Sequence, residues 1–161
     1  LGAGNINDIN SEIGMTMDAL EKHENIYVVL GESMIGKRLE VTGERIRIIR
    51  DYPNSRFFNA FDFAIMAAGY NSFHEAISFN LPTIFYPNLD TGKDDQYARA
   101  KIAENIGAMV VIKQRKMNKI TAAIERLCDL KVRERMKKNI KKLQNSNGAN
   151  QLAKYIIENI D

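Results

Sequence analysis

The sequence predicts an α/β domain, a parallel sheet covered on both faces by helices, and three features of the chain carry that expectation. Short apolar runs alternate with longer amphipathic stretches along the whole chain. The segment Phe63 to Tyr86 condenses the pattern into strand, glycine turn, helix and strand, a βαβ unit. Glycine and proline fall at the joints of the pattern, at Gly69, Pro82, Pro87 and Gly107. Repeated β–α alternation implies parallel strands, because each parallel pair needs a crossover and the crossover helices cover the sheet.

Taken in order, Leu1-Gly2-Ala3-Gly4-Asn5 reads as the end of a strand and a glycine-rich loop. A helix from about Asn10 to His23 follows, with Ile13, Met17 and Leu20 on one face. Asn25 to Leu30 is a strand, 34–40 a short helix, Ile46 to Ile49 a strand and Asn54 to Ala60 a short helix. In the central unit, the strand Phe63 to Ala68 stops at Gly69, Tyr70-Asn71-Ser72 makes a polar turn, and a helix runs from Phe73 to about Phe79. Asn80-Leu81-Pro82 ends that helix before the strand Thr83 to Tyr86. A loop from Asn88 to Lys93 leads to a helix from Asp94 to Asn105, with Gly107 in C-cap position. Ala108 to Ile112 is a strand, and helices at about 117–129, 131–144 and 149–160 finish the chain. His23 is expected to cap the end of its helix.

A chain of 161 residues makes one domain with a real core, and 45% hydrophobic with 27% charged residues is ordinary for a soluble globular protein. The single cysteine, Cys128, shares a helical stretch with Ile124 and Leu127 and is expected to be a buried core thiol. One cysteine forms no disulfide within the chain, which fits a reducing compartment. No apolar run approaches the roughly 20 residues of a membrane-spanning helix, and no signal peptide is visible. The chain opens at Leu1-Gly2 in the middle of a motif, so a domain excised from a larger protein is expected.

Charge divides unevenly. Residues 1–80 carry 7 Lys/Arg against 11 Asp/Glu, net −4, and residues 81–161 carry 16 against 9, net +7. Much of the excess lies in one amphipathic helix from Lys131 to Lys142, whose apolar positions are Val132, Met136, Ile140 and Leu143. A solvated face is one explanation, and attraction to an anionic membrane surface is the other. Nucleic acid is not expected as a partner, because the basic face has no interleaved aromatic residues and no recognition motif accompanies it.

The chemistry concentrates at Gly69, Ser72 and Glu75, where the first strand of the central unit hands over to its helix. Ligands of open parallel sheets bind at that carboxyl end of the strands. Ser72 and Glu75 are three apart and share a helix face. Ser-x-x-Glu is also a capping box, with Ser72 as N-cap and Glu75 at N3. As a binding site, the same residues would place free N–H groups and a hydroxyl against a phosphate. The Glu75 carboxylate would then accept from two sugar hydroxyls, and Gly69 would let the ligand approach the backbone. The opening Gly2-Ala3-Gly4-Asn5-Ile6-Asn7 lacks the third glycine of a dinucleotide fingerprint, although Glu32 stands where its acidic residue would be. His74 neighbours Glu75 but projects about 100° away on a helix and is not taken as a catalytic base.

With Pro82, Pro87 and the loop into Asp94-Asp95-Gln96, the whole segment resembles the donor-binding region of GT-B glycosyltransferases. It is most similar to the bacterial group that adds N-acetylglucosamine to the lipid-linked peptidoglycan precursor. The matching residues are Gly69, Asn71, Ser72, Glu75, Pro82, Pro87, Asp95 and Gln96; Ala67 stands where the plant nucleotide-sugar box has a phosphate-binding histidine. The resemblance implies a Rossmann-like domain, the C-terminal half of a GT-B fold. It implies that Ser72 contacts a diphosphate, that Glu75 holds ribose hydroxyls, and that Gln96 with Asp95 touches the donor sugar. It also implies that Gly2, Gly4 and Asn5 approach the diphosphate and that backbone around Ile49 and Arg50 holds uracil.

An inverting, metal-independent hexosyltransferase using a UDP-sugar is the implied activity, cytoplasmic or peripheral at the inner membrane face. No cofactor is expected, and no Asp-x-Asp triplet offers itself to a metal. The catalytic base is expected in a missing N-terminal acceptor domain or partner subunit, so this domain alone would bind without turnover. The alternatives are a GT-B nucleotide-sugar hydrolase or epimerase, a non-catalytic donor-binding subunit of a split transferase, and a nicotinamide oxidoreductase.

Overall fold

A computed structural model of the chain describes residues 6–31, 41–89, 94–144 and 148–159, with side chains from Ile13 onward. Helix α1 (Ile6–Glu21) buries Met17 and Leu20 and packs Ile13 beside them, the face its periodicity predicts. His23 does not cap α1 with its ring. Its main-chain N–H bonds Leu20 O at 3.0 Å and its carbonyl accepts from Ile26 N–H at 3.2 Å, so the backbone itself closes the turn.

Strands β1 (Val28–Gly31) and β2 (Ile46–Ile49) pair in parallel, with Val28 opposite Ile46. A 3₁₀ helix (Asn54–Ala60) leads to β3 (Ala64–Ala67), α2 (Tyr70–Ser78) and β4 (Thr83–Tyr86). Then come α3 (Gln96–Asn105), β5 (Val110–Val111), α4 (Met117–Cys128), α5 (Leu130–Ile140), a 3₁₀ turn (Lys141–Leu143) and α6 (Ala149–Asn159).

Strands β3, β4 and β5 form a second parallel sheet in that order, so the described strands make two parallel sheets, of three and two strands. The expected strand end at Leu1-Gly2, the loop to Asn5 and the short helix at 34–40 lie outside the described residues. Every residue of β4 is buried, because it is the central strand and helices cover both its faces; TIFY therefore shows no alternation. Its neighbours divide by face. Ile84 and Tyr86 join Met17 and Leu20 of α1 and Ile120, Ile124 and Leu127 of α4, and β1 and β2 pack against this cluster through Val28, Leu30 and Ile46. Phe85 points the other way, into Phe73 and Ile77 of α2, Ala100 and Ala103 of α3, and Ile140 of α5. Full burial of a side chain such as Phe85 contributes about 1.5–3 kcal/mol. The Tyr86 hydroxyl meets Thr16 Oγ1 at 3.2 Å; burial pushes this phenol's pKa up and the hydrogen bond partly offsets that.

Three expectations need correction. Cys128 is exposed: it is the last residue of α4 and flanks the buried Ile124 and Leu127 stripe at the end of the helix. The strand at Ala108 to Ile112 shortens to Val110–Val111, although Ile112 N–H still bonds Phe85 O at 2.9 Å. The basic helix ends at Ile140 and tightens into the 3₁₀ turn. Gly107 does follow the C-cap of α3, with φ +68. Helix α6 buries no residue and leaves Leu152, Tyr155 and Ile156 exposed.

Candidate functional site

The β3–α2 junction differs from the sequence expectation in one consequential way. Gly69 is the N-cap of α2, and Tyr70-Asn71-Ser72 is its first helical turn, not a polar turn before it. Ser72 is thus the third residue inside the helix and Glu75 the sixth, so the capping box does not form; α2 has no side-chain cap. The local cause is visible. Gly69 takes the extended conformation of an N-cap, φ −58 and ψ 157, and the Tyr70 ring stacks on His74 one turn later, with centroids 4.4 Å apart.

The first intrahelical bond runs from Phe73 N–H to Gly69 O at 2.9 Å. The N–H groups of Gly69, Tyr70, Asn71 and Ser72 precede it and remain available, at the end of the helix that carries partial positive charge. Asn71 is exposed, whereas Ser72 and Glu75 are half-buried. Neither Ser72 nor Glu75 makes a side-chain hydrogen bond among the described residues.

The start of α3 lies against this turn. Asp95 caps α3, its Oδ1 accepting from Ala98 N–H at 2.8 Å. Gln96 is buried, and its Oε1 accepts from Asn88 N–H at 3.0 Å, tying α3 to the segment after β4. A Cβ at Gly69 would meet only Gln96 Nε2, at 3.9 Å. Neither backbone conformation nor packing among the described residues therefore demands glycine there, and the space it leaves opens beside the Gln96 amide. Arg99 joins the two helix starts: its Nη1 donates to Ala68 O at 3.0 Å and its guanidinium pairs with Asp94.

The structure thus brings together Gly69, Asn71, Ser72, Asp95 and Gln96 at two adjoining helix N-termini, with Glu75 one turn deeper. Ile49 and Arg50 stand at the end of β2 in the other sheet. Gly2, Gly4 and Asn5 lie outside the described residues. Asp94, Arg99 and Tyr70 were not singled out from the sequence. No spacing signals that a residue of α3 bonds a carbonyl 31 positions earlier. Among the described residues, no three His, Cys, Asp or Glu side chains cluster to hold a metal.

Residues 42–154, which include every described residue of this site from Ile49 to Gln96, match the glycosyltransferase family 28 C-terminal domain. The chain belongs to this family. It is 29% identical over 126 residues to the UDP-N-acetylglucosamine–N-acetylmuramyl-(pentapeptide) pyrophosphoryl-undecaprenol N-acetylglucosamine transferase of Aquifex aeolicus (strain VF5), a match covering 76% of this chain and 36% of the relative. The protein of the same name from Borrelia hermsii (strain HS1 / DAH) is 27% identical over 173 residues, covering 100% of this chain and 44% of the relative. The chain therefore spans less than half the length of these relatives. In three dimensions it is similar to the kitacinnamycin glycotransferase, with a TM-score of 0.70 at 18% identity, covering 98% of this chain and 41% of the other. That likeness establishes the fold, the parallel α/β architecture of GT-B glycosyltransferases.

Proposed function

We propose that this family 28 domain is the donor-binding half of an inverting, metal-independent glycosyltransferase that draws its sugar from a UDP-sugar. The observation that supports it is the uncapped start of α2, with the free side chains of Ser72 and Glu75, set against the buried amide of Gln96. A diphosphate takes the N–H groups of Gly69 to Ser72 and the Ser72 hydroxyl; the departing nucleotide diphosphate is stabilised there without a metal. Glu75, acceptor-only when ionised, takes the two ribose hydroxyls. Asp95 and Gln96 face the sugar and backbone near Ile49 and Arg50 takes the base; Gly2, Gly4 and Asn5, outside the described residues, are further candidates for diphosphate contact.

In this reading no cofactor takes part, and the general base comes from an N-terminal acceptor domain or a partner subunit. The acceptor belongs to cell-envelope glycan or glycolipid synthesis, since both relatives are named for an undecaprenol-linked acceptor. In this reading the protein is cytoplasmic and works peripherally at the inner face of the membrane that holds such an acceptor. Lys131, Arg135, Lys138 and Lys142 recur at helical spacing and are all exposed, a cationic stripe suited to anionic headgroups.

The test is calorimetric titration of the chain with UDP, uridine, thymidine diphosphate and NADH. UDP is expected to bind best, with uridine weaker for want of the diphosphate. Binding of NADH without UDP would refute the reading. In the full-length protein, product from an α-linked donor should carry a β linkage, and sugar release without acceptor would favour the hydrolase.

A further inference from the structure

Arg99 belongs to α3, yet its guanidinium reaches back to the turn that opens α2. Nη1 donates to Ala68 O at 3.0 Å and to Asp94 Oδ2 at 3.3 Å, while Nη2 pairs with Asp94 Oδ1. Its Cζ lies 5.5 Å from the centre of the Tyr70 ring. The Arg99 side chain is only 21% exposed and Ala68 is fully buried. One planar group therefore satisfies a buried carbonyl just before the N-cap of α2, a carboxylate just before the N-cap of α3, and the face of the first aromatic residue of α2.

We propose that Arg99 is a positioning residue that clamps the starts of α2 and α3 together, so that the free N–H groups of Gly69 to Ser72, which take the diphosphate, stand beside the Gln96 amide, which faces the sugar, as one donor-binding arrangement. The identity of the ligand rests on the donor-binding reading above; the clamp does not. Two physical consequences follow. The fork geometry is needed, because a lysine ammonium offers a point charge and cannot hold the carbonyl and both carboxylate oxygens in one plane. The charge is needed as well. Without it one cation is taken from beside the Asp94 carboxylate and from helix ends that receive an anion, which weakens their hold on that anion.

The experiment combines amide hydrogen exchange with nucleotide titration on the wild type, Arg99→Lys and Arg99→Ala. Exchange at Phe73, the first bonded amide of α2, should quicken about tenfold in Arg99→Lys while the amides of β4 keep their protection. UDP affinity should fall about tenfold in Arg99→Lys and further in Arg99→Ala, with uridine affinity changed less than about twofold. Wild-type exchange at Phe73 with wild-type UDP affinity in Arg99→Lys overturns the proposal. So does loss of β4 protection together with that of Phe73, which would make Arg99 a general stability residue. A wild type that binds no UDP refutes the donor reading alone, and exchange at Phe73 still decides the clamp.

Discussion

Replacing Glu75 by Gln separates a ribose-binding carboxylate from an ordinary helix residue. Glu75 is the sixth residue of α2, beyond the first turn, half-buried, and its side chain has no hydrogen-bond partner among the described residues. Its main-chain carbonyl accepts from Phe79 N–H at 2.9 Å, a bond the substitution leaves intact. Among the described residues no side-chain bond is lost, so unfolding free energy should change by no more than about 0.5 kcal/mol. Bound nucleotide sees a larger change. The ionised carboxylate accepts from both ribose hydroxyls, whereas the amide offers one acceptor and places donors where donors already stand. Losing charge-assisted character from this pair should cost about 1.4–2.8 kcal/mol, a 10- to 100-fold fall in UDP affinity. Calorimetry with UDP and 2′-deoxy-UDP on both proteins closes a double-mutant cycle. The deoxy ligand should bind the wild type weakly and lose less on mutation. A coupling energy near zero, with UDP still tightly bound by the Gln variant, would falsify the ribose role.

Four further outcomes are expected. Ser72→Ala should weaken UDP by about 1.5–3 kcal/mol and uridine much less, with an unchanged thermal midpoint because Ser72 is not the cap; equal weakening of both ligands would refute a phosphate contact. Asp95→Ala should destabilise the fold by about 0.5–2 kcal/mol through loss of the α3 cap, while Asp95→Asn keeps the cap, so any drop in UDP-sugar affinity in the Asn variant, with UDP affinity unchanged, reports a sugar contact. UDP should bind equally in Mg²⁺ and in EDTA, and a tenfold loss in EDTA would count against the site. Arg99, by its hydrogen bond, holds the Asp94 carboxyl below its ordinary pKa of 3.8. A depressed folded pKa contributes stability that is complete above the unfolded value and is lost as pH falls through the folded one. The wild-type thermal midpoint should therefore fall more steeply than that of Asp94→Asn below about pH 4, and parallel curves would show that the pair contributes nothing.

The alternation of apolar runs with helix-period stretches determined the α/β class, because strand and helix burial impose periods that are written residue by residue. TIFY matches β4 to the residue, since Pro82 and Pro87 bound it on both sides. The junction at Gly69, Ser72 and Glu75 was legible for the same reason, since helix starts follow strand ends and strand ends are punctuated; Asp95 and Gln96 came from the resemblance to the GT-B donor segment, and they lie at a helix start that adjoins this junction. What one dimension could not decide was where α2 begins. Gly69 tolerates either a turn or a cap, and only the tertiary arrangement, with Tyr70 stacked on His74 and Ala68 bonded to Arg99, makes Tyr70 the first helical residue. That choice moved Ser72 from cap to third position and left its hydroxyl without a cap to make. Cys128 shows the same limit, because Ile124 and Leu127 suggest a buried stripe while Cys128, the last residue of α4, is exposed. Long-range partners such as Arg99 and Ala68 depend on how the start of α3 meets the end of β3, and packing between elements sets that meeting where no local spacing records it.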